Sequence, residues 1–206
     1  MALNSYNIGE FQVLQPFSGV ASMSRFSWLV LLMVCMPSLG WAQEVAKEPA
    51  ATQDVVLADG GLLLKAPGGW KKVQPKINMI EAEFAIPKLE ADEVNGRVTI
   101  MASGGSIEQN IERWYGQFEL AKEPAEPVVK EINQVKVHIV DLQGTYLDTM
   151  GNPAGPKSKK ENYRMLAAII ETPEGNYYVK CYGPAATMDK NVAAFNQMID
   201  SVRIVQ

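Results

Sequence analysis

The sequence predicts an α+β fold, a mainly antiparallel β-sheet packed by two principal helices. Three observations predict it. Apolar residues alternate with period two in stretch after stretch, as in Ile80, Ala82, Phe84 and Ile86, the mark of strands with one buried face. Two stretches, Ile107 to Phe118 and Met188 to Val202, space their apolar residues as a helix does. The strand signals also follow one another across turns, with one helix mid-chain and one at the end, which favours antiparallel pairing.

Leu62-Leu63-Leu64 followed by Ala66-Pro67-Gly68-Gly69-Trp70 reads as a strand running into a turn. The alternating strand over Met79 to Ile86 stops at Pro87, and Val98, Ile100 and Ala102 repeat the pattern before Gly104-Gly105. Ser106 and Gln109 then form an S-x-x-Q capping box, in which each side chain satisfies the other residue's backbone N–H. Ile107, Ile111, Trp114 and Phe118 supply that helix's apolar stripe, and Pro124 and Pro127 prevent its continuation. Val128 to Leu147 holds two strand-like stretches, Val135 to Val140 and Leu142 to Leu147, or one long bent strand.

Asp148 to Glu161, with Gly151, Pro153, Gly155 and Pro156, is the most loop-like part of the chain. Tyr163 to Ile170 is a near-continuous apolar run, expected of a central strand covered on both faces. Thr172-Pro173-Glu174-Gly175-Asn176 turns the chain, and Tyr177 to Tyr182 returns as a strand that Gly183-Pro184 breaks. The last helix carries Met188, Val192, Phe195, Ile199 and Val202 on one face. No internal repeat occurs.

Four stretches divide the chain. Residues 23–42 read as a signal peptide: Arg25 supplies a charge, Phe26 to Met36 is almost wholly apolar, Pro37 and Ser38 interrupt it, and Gly40-Trp41-Ala42 offers a cleavage site. The apolar stretch is shorter than the roughly 20 residues a spanning helix needs. The product is therefore expected to be exported, periplasmic or extracellular, starting near Gln43 and meeting the membrane only transiently through its signal. Residues 1–22 carry one acidic and no basic residue, so our hypothesis is a start at Met23 with a gene-model extension before it. Precursor peptides from Met1 to Ser22 in mass spectrometry would reject it. Residues 43–59 are expected to be a flexible linker, and 60–206 the folded domain. About 160 residues after cleavage suffice for one domain with a proper core.

The turn Pro67-Gly68-Gly69-Trp70, the mid-chain helix, the hairpin around Pro173-Glu174-Gly175-Asn176 and the final Phe195-to-Val202 helix resemble the PsbP-like (Mog-type) α/β sandwich, a group that extends to exported bacterial domains of unknown function. The resemblance covers roughly Gly60 to Val205. It implies binding or assembly rather than catalysis, since the group includes extrinsic photosystem subunits and a Ran-binding nuclear import factor. No functional motif accompanies it, and fold does not fix function.

The residues themselves exclude more than they assign. A net charge of −4 gives no general attraction for nucleic acid. Cys35 lies in the signal segment, so the mature chain keeps only Cys181, expected to be a buried small hydrophobe. His138 is the sole histidine and lacks metal-binding companions; it reads as an ordinary strand residue. Glu81 and Glu83 share a strand face about 7 Å apart, and carboxylate pairs can serve glycoside chemistry, but an alternating strand more simply shows them as its solvated face. Glu90, Asp92, Glu93 and Asn95 lack EF-hand spacing and read as an acidic surface loop. No catalytic residue, cofactor or metal is expected, and the chain is read as a non-enzyme.

One region stands out as a contact. Lys157, Lys159 and Lys160 on the predicted loop, with Arg164 just beyond, could meet an acidic partner surface, an anionic ligand or lipid head groups. Tyr178 and Tyr182 flank Lys180 on one strand face and would form an amphipathic patch unless a helix covers them. The expectation is an exported, non-catalytic domain that binds an unknown protein or envelope component; the alternative is a carrier or sensor of a small apolar or anionic ligand held between sheet and helices.

Overall fold

In the computed structural model, residues 51–120, 122–149 and 155–205 are described. The expected signal peptide, the stretch preceding it and residues 43–50 lie outside them. In chain order the elements are β1 (Thr52–Leu57), a short 3-10 turn (Ala58–Gly60), β2 (Leu62–Pro67), β3 (Lys71–Val73), β4 (Ala82–Ile86), β5 (Gly96–Ser103), α1 (Ile107–Tyr115), β6 (Phe118–Leu120), β7 (Val128–Ile132), β8 (Val135–Asp148), β9 (Ser158–Thr172), β10 (Gly175–Pro184), α2 (Ala185–Asp200) and β11 (Arg203–Ile204). They belong to one unit, Ala46–Gln206.

Every pairing is antiparallel. A small sheet runs β1-β2-β11, and a large one runs β3-β4-β5-β10-β9-β8-β6 with β7 also on β8. The predicted α+β class holds. The near-continuous apolar strand β9 is central, between β10 and β8, and the stretch left open between one strand and two is the single strand β8.

Alternation gives the large sheet two unlike faces. Toward α2 and the small sheet it sends Phe84, Val98, Ile100, Leu166, Ala168, Val179 and Cys181, which join Leu64, Met188, Phe195, Met198 and Ile199 in one core. Toward α1 it sends Val140, Leu142, Met165, Ala167, Ile169 and Tyr178, packed with Ile111, Trp114 and Phe118. The Trp70 indole N–H donates to Asn191 Oδ1 at 2.9 Å, tying the first turn to α2. Gly183 lies where β10 crosses β5 so closely that a Cβ would stand 2.7 Å from Gly96 Cα.

Four sequence readings need correction. The expected linker over 43–59 already contains β1: Val55 and Leu57 are 3% and 2% exposed, and the strand pairs with β2 along its whole length. Two inward apolar side chains and a full ladder offset the ordering cost that the polar composition suggested. The predicted loop to Glu161 ends early, because β8 extends to Asp148 and pairs it with Ser158, placing Lys159 and Lys160 on β9. The first helix stops at Tyr115, so Phe118 is buried from a strand after the Gly116-Gln117 turn. Finally, Val128–Ile132 is an added strand, joined to β8 by Asn133 and Gln134, both at positive φ (49° and 65°); such a turn matches strand twist.

Candidate functional site

On the α2 side, β6, β8 and β9 border an open groove of about 690 Å³ lined by Glu119, Lys122, Asp141, Gln143, Glu161 and Arg164. Arg164 is its fixed point. Its Nε and Nη2 donate to the two carboxylate oxygens of Asp141 at 2.9 and 2.5 Å, and Nη1 donates to Asp189 Oδ1 at 2.6 Å. The fork matches a carboxylate's geometry, which a lysine could not do. The bond to Asp141 raises the Arg164 pKa above its usual value against the opposing effect of burial. Lys159 pairs with Glu119 at 2.7 Å.

The four predicted contact cations do not form one cluster. Gly144 pairs with Tyr163 but Tyr146 pairs with Lys160, so β9 carries one extra residue opposite Thr145. Asn162, at φ 55°, accommodates that bulge. Lys159 and Arg164 consequently face the groove side, whereas Lys160 takes the register of Tyr146 on the α1 side. Lys157 and Lys160 are exposed.

The two tyrosines also part company. Tyr178 is 2% exposed, with its oxygen accepting from Asn110 Nδ2 at 2.9 Å and its ring edge-on to Trp114. Helix α1 covers it, held by the predicted capping box between Ser106 and Gln109. Tyr178 is therefore a core residue, not a contact. Tyr182, past the helix, is half-buried. Its oxygen accepts from Arg97 Nη1 at 3.1 Å, and Arg97 grips Glu83 through two bonds at 2.8 and 3.1 Å. That bond to Glu83 raises the Arg97 pKa further, and Tyr182 adds to the rise.

Between them lies the group that the sequence reading passed over. Lys180 Nζ sits 4.7 Å from the centroid of Tyr182 and 5.0 Å from that of Tyr146. It donates to Gln117 Oε1 at 2.5 Å and reaches Tyr146 Oη at 3.5 Å. Tyr146 is stacked in turn on Tyr163, with 6.0 Å between centroids. Burial pushes the Lys180 amine down to about 7; Arg113 and Arg97 push the same way and Asp148 opposes them. The two ring faces return part of the desolvation cost by cation–π attraction. The signal was present as Tyr178-x-Lys180-x-Tyr182, but Tyr146 and Gln117 come from distant parts of the chain.

The remaining candidates have structural partners. His138 Nε2 lies 2.6 Å from Glu171 Oε1 and Lys136 Nζ 3.3 Å from the same atom. The His138 bond, then Lys136, holds the Glu171 carboxyl below its usual range. Glu83 serves Arg97, while Glu81 accepts from Tyr177 Oη at 3.4 Å. Asp92 accepts from the backbone N–H of Thr187 at 3.0 Å and from its hydroxyl, capping the start of α2. Cys181 is fully buried, and burial pushes its thiol pKa up. Among the described residues, no group of three or more His, Cys, Asp or Glu side chains is placed to hold a metal ion, and no helix is long and apolar enough to cross a membrane.

No family model matches the chain, and no curated protein matches it in sequence. Solved structures do. The solution structure of cyanobacterial PsbP (CyanoP) from Synechocystis sp. PCC 6803 aligns at a TM-score of 0.50 and 13% identity, over 81% of this chain and 99% of that one. The Ran-binding protein Mog1p of Saccharomyces cerevisiae aligns at 0.46 and 10% identity, over 76% and 97%. PA94 of Pseudomonas aeruginosa, a protein of unknown function, aligns at 0.44 and 14% identity, over 76% and 99%. Identities this low speak for architecture and not for activity. The chain has the PsbP-like α+β sandwich fold.

Proposed function

We propose that this chain is an exported, non-catalytic domain that binds a protein or envelope component, with the β6–β8–β9 groove and the cations on its side, Lys122, Lys159 and Arg164, as its contact. The observation that carries this reading is where the empty space lies. Met188, Phe195, Met198 and Ile199 pack between sheet and α2 at 0–1% exposure, which weighs against the alternative, a small-ligand carrier. The charged groove is open at the surface, with Arg164 and Lys159 already held by carboxylates. A partner would therefore meet a preformed pattern of charge, which favours specificity and fast encounter over raw affinity. Export rests on the Met23–Ala42 signal, and the mild negative charge argues against nucleic acid.

Native mass spectrometry of the protein purified from the envelope fraction, with its N-terminus mapped, tests the proposal. A start near Gln43 and a co-purifying macromolecule are expected, together with loss of that macromolecule in Lys122→Glu/Lys159→Glu. A small added mass in place of a macromolecule, or a partner indifferent to both charge reversals, overturns it.

A further inference from the structure

The connection between β3 and β4 carries more basic and apolar side chains than the fold uses. Strand β3 is the outer strand of the large sheet, and residues 71–79 hold three lysines and no acidic residue in a chain of net charge −4. Lys71, Lys72 and Lys76 are all exposed, and among the described residues no carboxylate forms an ion pair with any of them. The carboxylates that follow in the chain are engaged elsewhere, Glu81 by Tyr177 and Glu83 by Arg97. The apolar residues divide into one anchor and three that face solvent. Ile80 is buried, and its N–H donates to the Ile77 carbonyl at 3.0 Å, which fixes the end of the loop. Val73 is exposed, and Ile77 and Met79 beside the anchor stand 46% and 68% exposed. Lysines on an edge strand deter unwanted strand pairing, but that role calls neither for Lys76 nor for exposed Ile77 and Met79 next to it.

We propose that residues 71–79 form a bilayer-contact loop, in which Ile77 and Met79 enter the surface of an anionic phospholipid layer while Lys71, Lys72 and Lys76 meet its phosphate head groups. Buried apolar area and lysines near an anionic leaflet each strengthen such contact. Charge complementarity selects the lipid. A lysine is a compact point charge that meets a phosphate from any direction, whereas the carboxylates of an acidic protein are matched best by the guanidinium fork, and residues 71–79 contain no arginine. Met79 is unbranched and flexible, which suits a fluid surface better than a shaped pocket. The loop lies at the opposite edge of the large sheet from the β6–β8–β9 groove. A chain resting on a bilayer through this loop therefore keeps the groove accessible, and contact here needs no occupant in the groove.

The test mixes the protein purified from the envelope fraction with vesicles of phosphatidylglycerol and phosphatidylcholine in equal parts, or of phosphatidylcholine alone. Co-sedimentation measures binding, and peptide mass spectrometry after peroxide treatment measures the oxidation of each methionine. Binding to the anionic vesicles is expected, weakening with added salt, with Met79 oxidised several-fold more slowly relative to the half-buried Met101 on β5. Lys71→Gln/Lys72→Gln/Lys76→Gln should weaken that binding roughly a hundredfold, and Ile77→Ser/Met79→Ser, at unchanged charge, roughly tenfold. The Met79 readout is taken on the unaltered chain, so a variant that misfolds does not blunt it. Met79 left unshielded on anionic vesicles, or shielded equally on both kinds, overturns the proposal; the first is what a retained Met23–Ala42 segment acting alone would give. Shielding of Met79 by a co-purifying acidic protein, but not by anionic vesicles, overturns it as well.

Discussion

On the α2 side of the large sheet, Phe84, Val98, Val179 and Cys181 meet Phe195 and Ile199 with almost no exposed area. On the other side the same strands present Glu83, Arg97, Lys180 and Tyr182, joined by ion pairs and ring contacts. Strand alternation makes both surfaces, but the covering elements decide their fates. Helix α2 and the small sheet cover one face broadly, whereas α1, nine residues long, covers only the end of the other. One face is built for stability, and the other keeps polar groups in a partly dry setting where their chemistry can be shifted.

Truncation should separate the faces most clearly. Phe195→Ala is expected to cost about 3–5 kcal/mol through transfer and cavity terms, and Tyr182→Ala less than about 1.5 kcal/mol, as half-buried side chains lose less area. Urea unfolding of both variants measures this, and equal losses would erase the distinction. A second difference concerns pH. The Lys180 pKa is lowered in the folded state, so the unfolded chain binds more protons between about pH 7 and the usual lysine value. Stability should therefore rise with pH across that window, by an amount on the order of a few kcal/mol, and the contribution should be absent below it. Lys180→Met should remove the rise and raise stability at neutral pH; a wild-type curve flat in this window would show the amine to be ordinary. The smallest effect concerns the short cover itself. Ser106→Ala removes the α1 cap and should cost about 1 kcal/mol, with faster hydrogen exchange at Asn110 and Ile111 than in α2.

Much of the stable face was legible in the sequence. The stripe Met188, Phe195, Ile199 and the alternation of Ile80 to Ile86 are local patterns, and burial follows from them. The capping box was legible for the same reason, since its two residues lie within one turn. The candidate site was less so. Tyr178 and Tyr182 are equivalent in strand phase, and only the placement of α1 separates a core residue from a half-exposed one. Lys180 acquires its character from Tyr146 and Gln117, which no local spacing connects to it. The split of the lysines was hidden too, because Glu161-Asn162 carries no glycine to announce a bulge.

That bulge sets a parity for everything before it in β9. Were the bulge flattened with Asn162 kept, so that β9 alternated regularly away from Arg164, residues 158–161 would exchange faces as a block. Lys160 would join Arg164 over the groove, while Lys159 would leave Glu119 for the tyrosine side. The electrostatic pattern shown to a partner thus depends on the extra residue being taken up in a bulge. A chain without the extra residue would keep Lys159 and Lys160 on their present faces in a regular ladder.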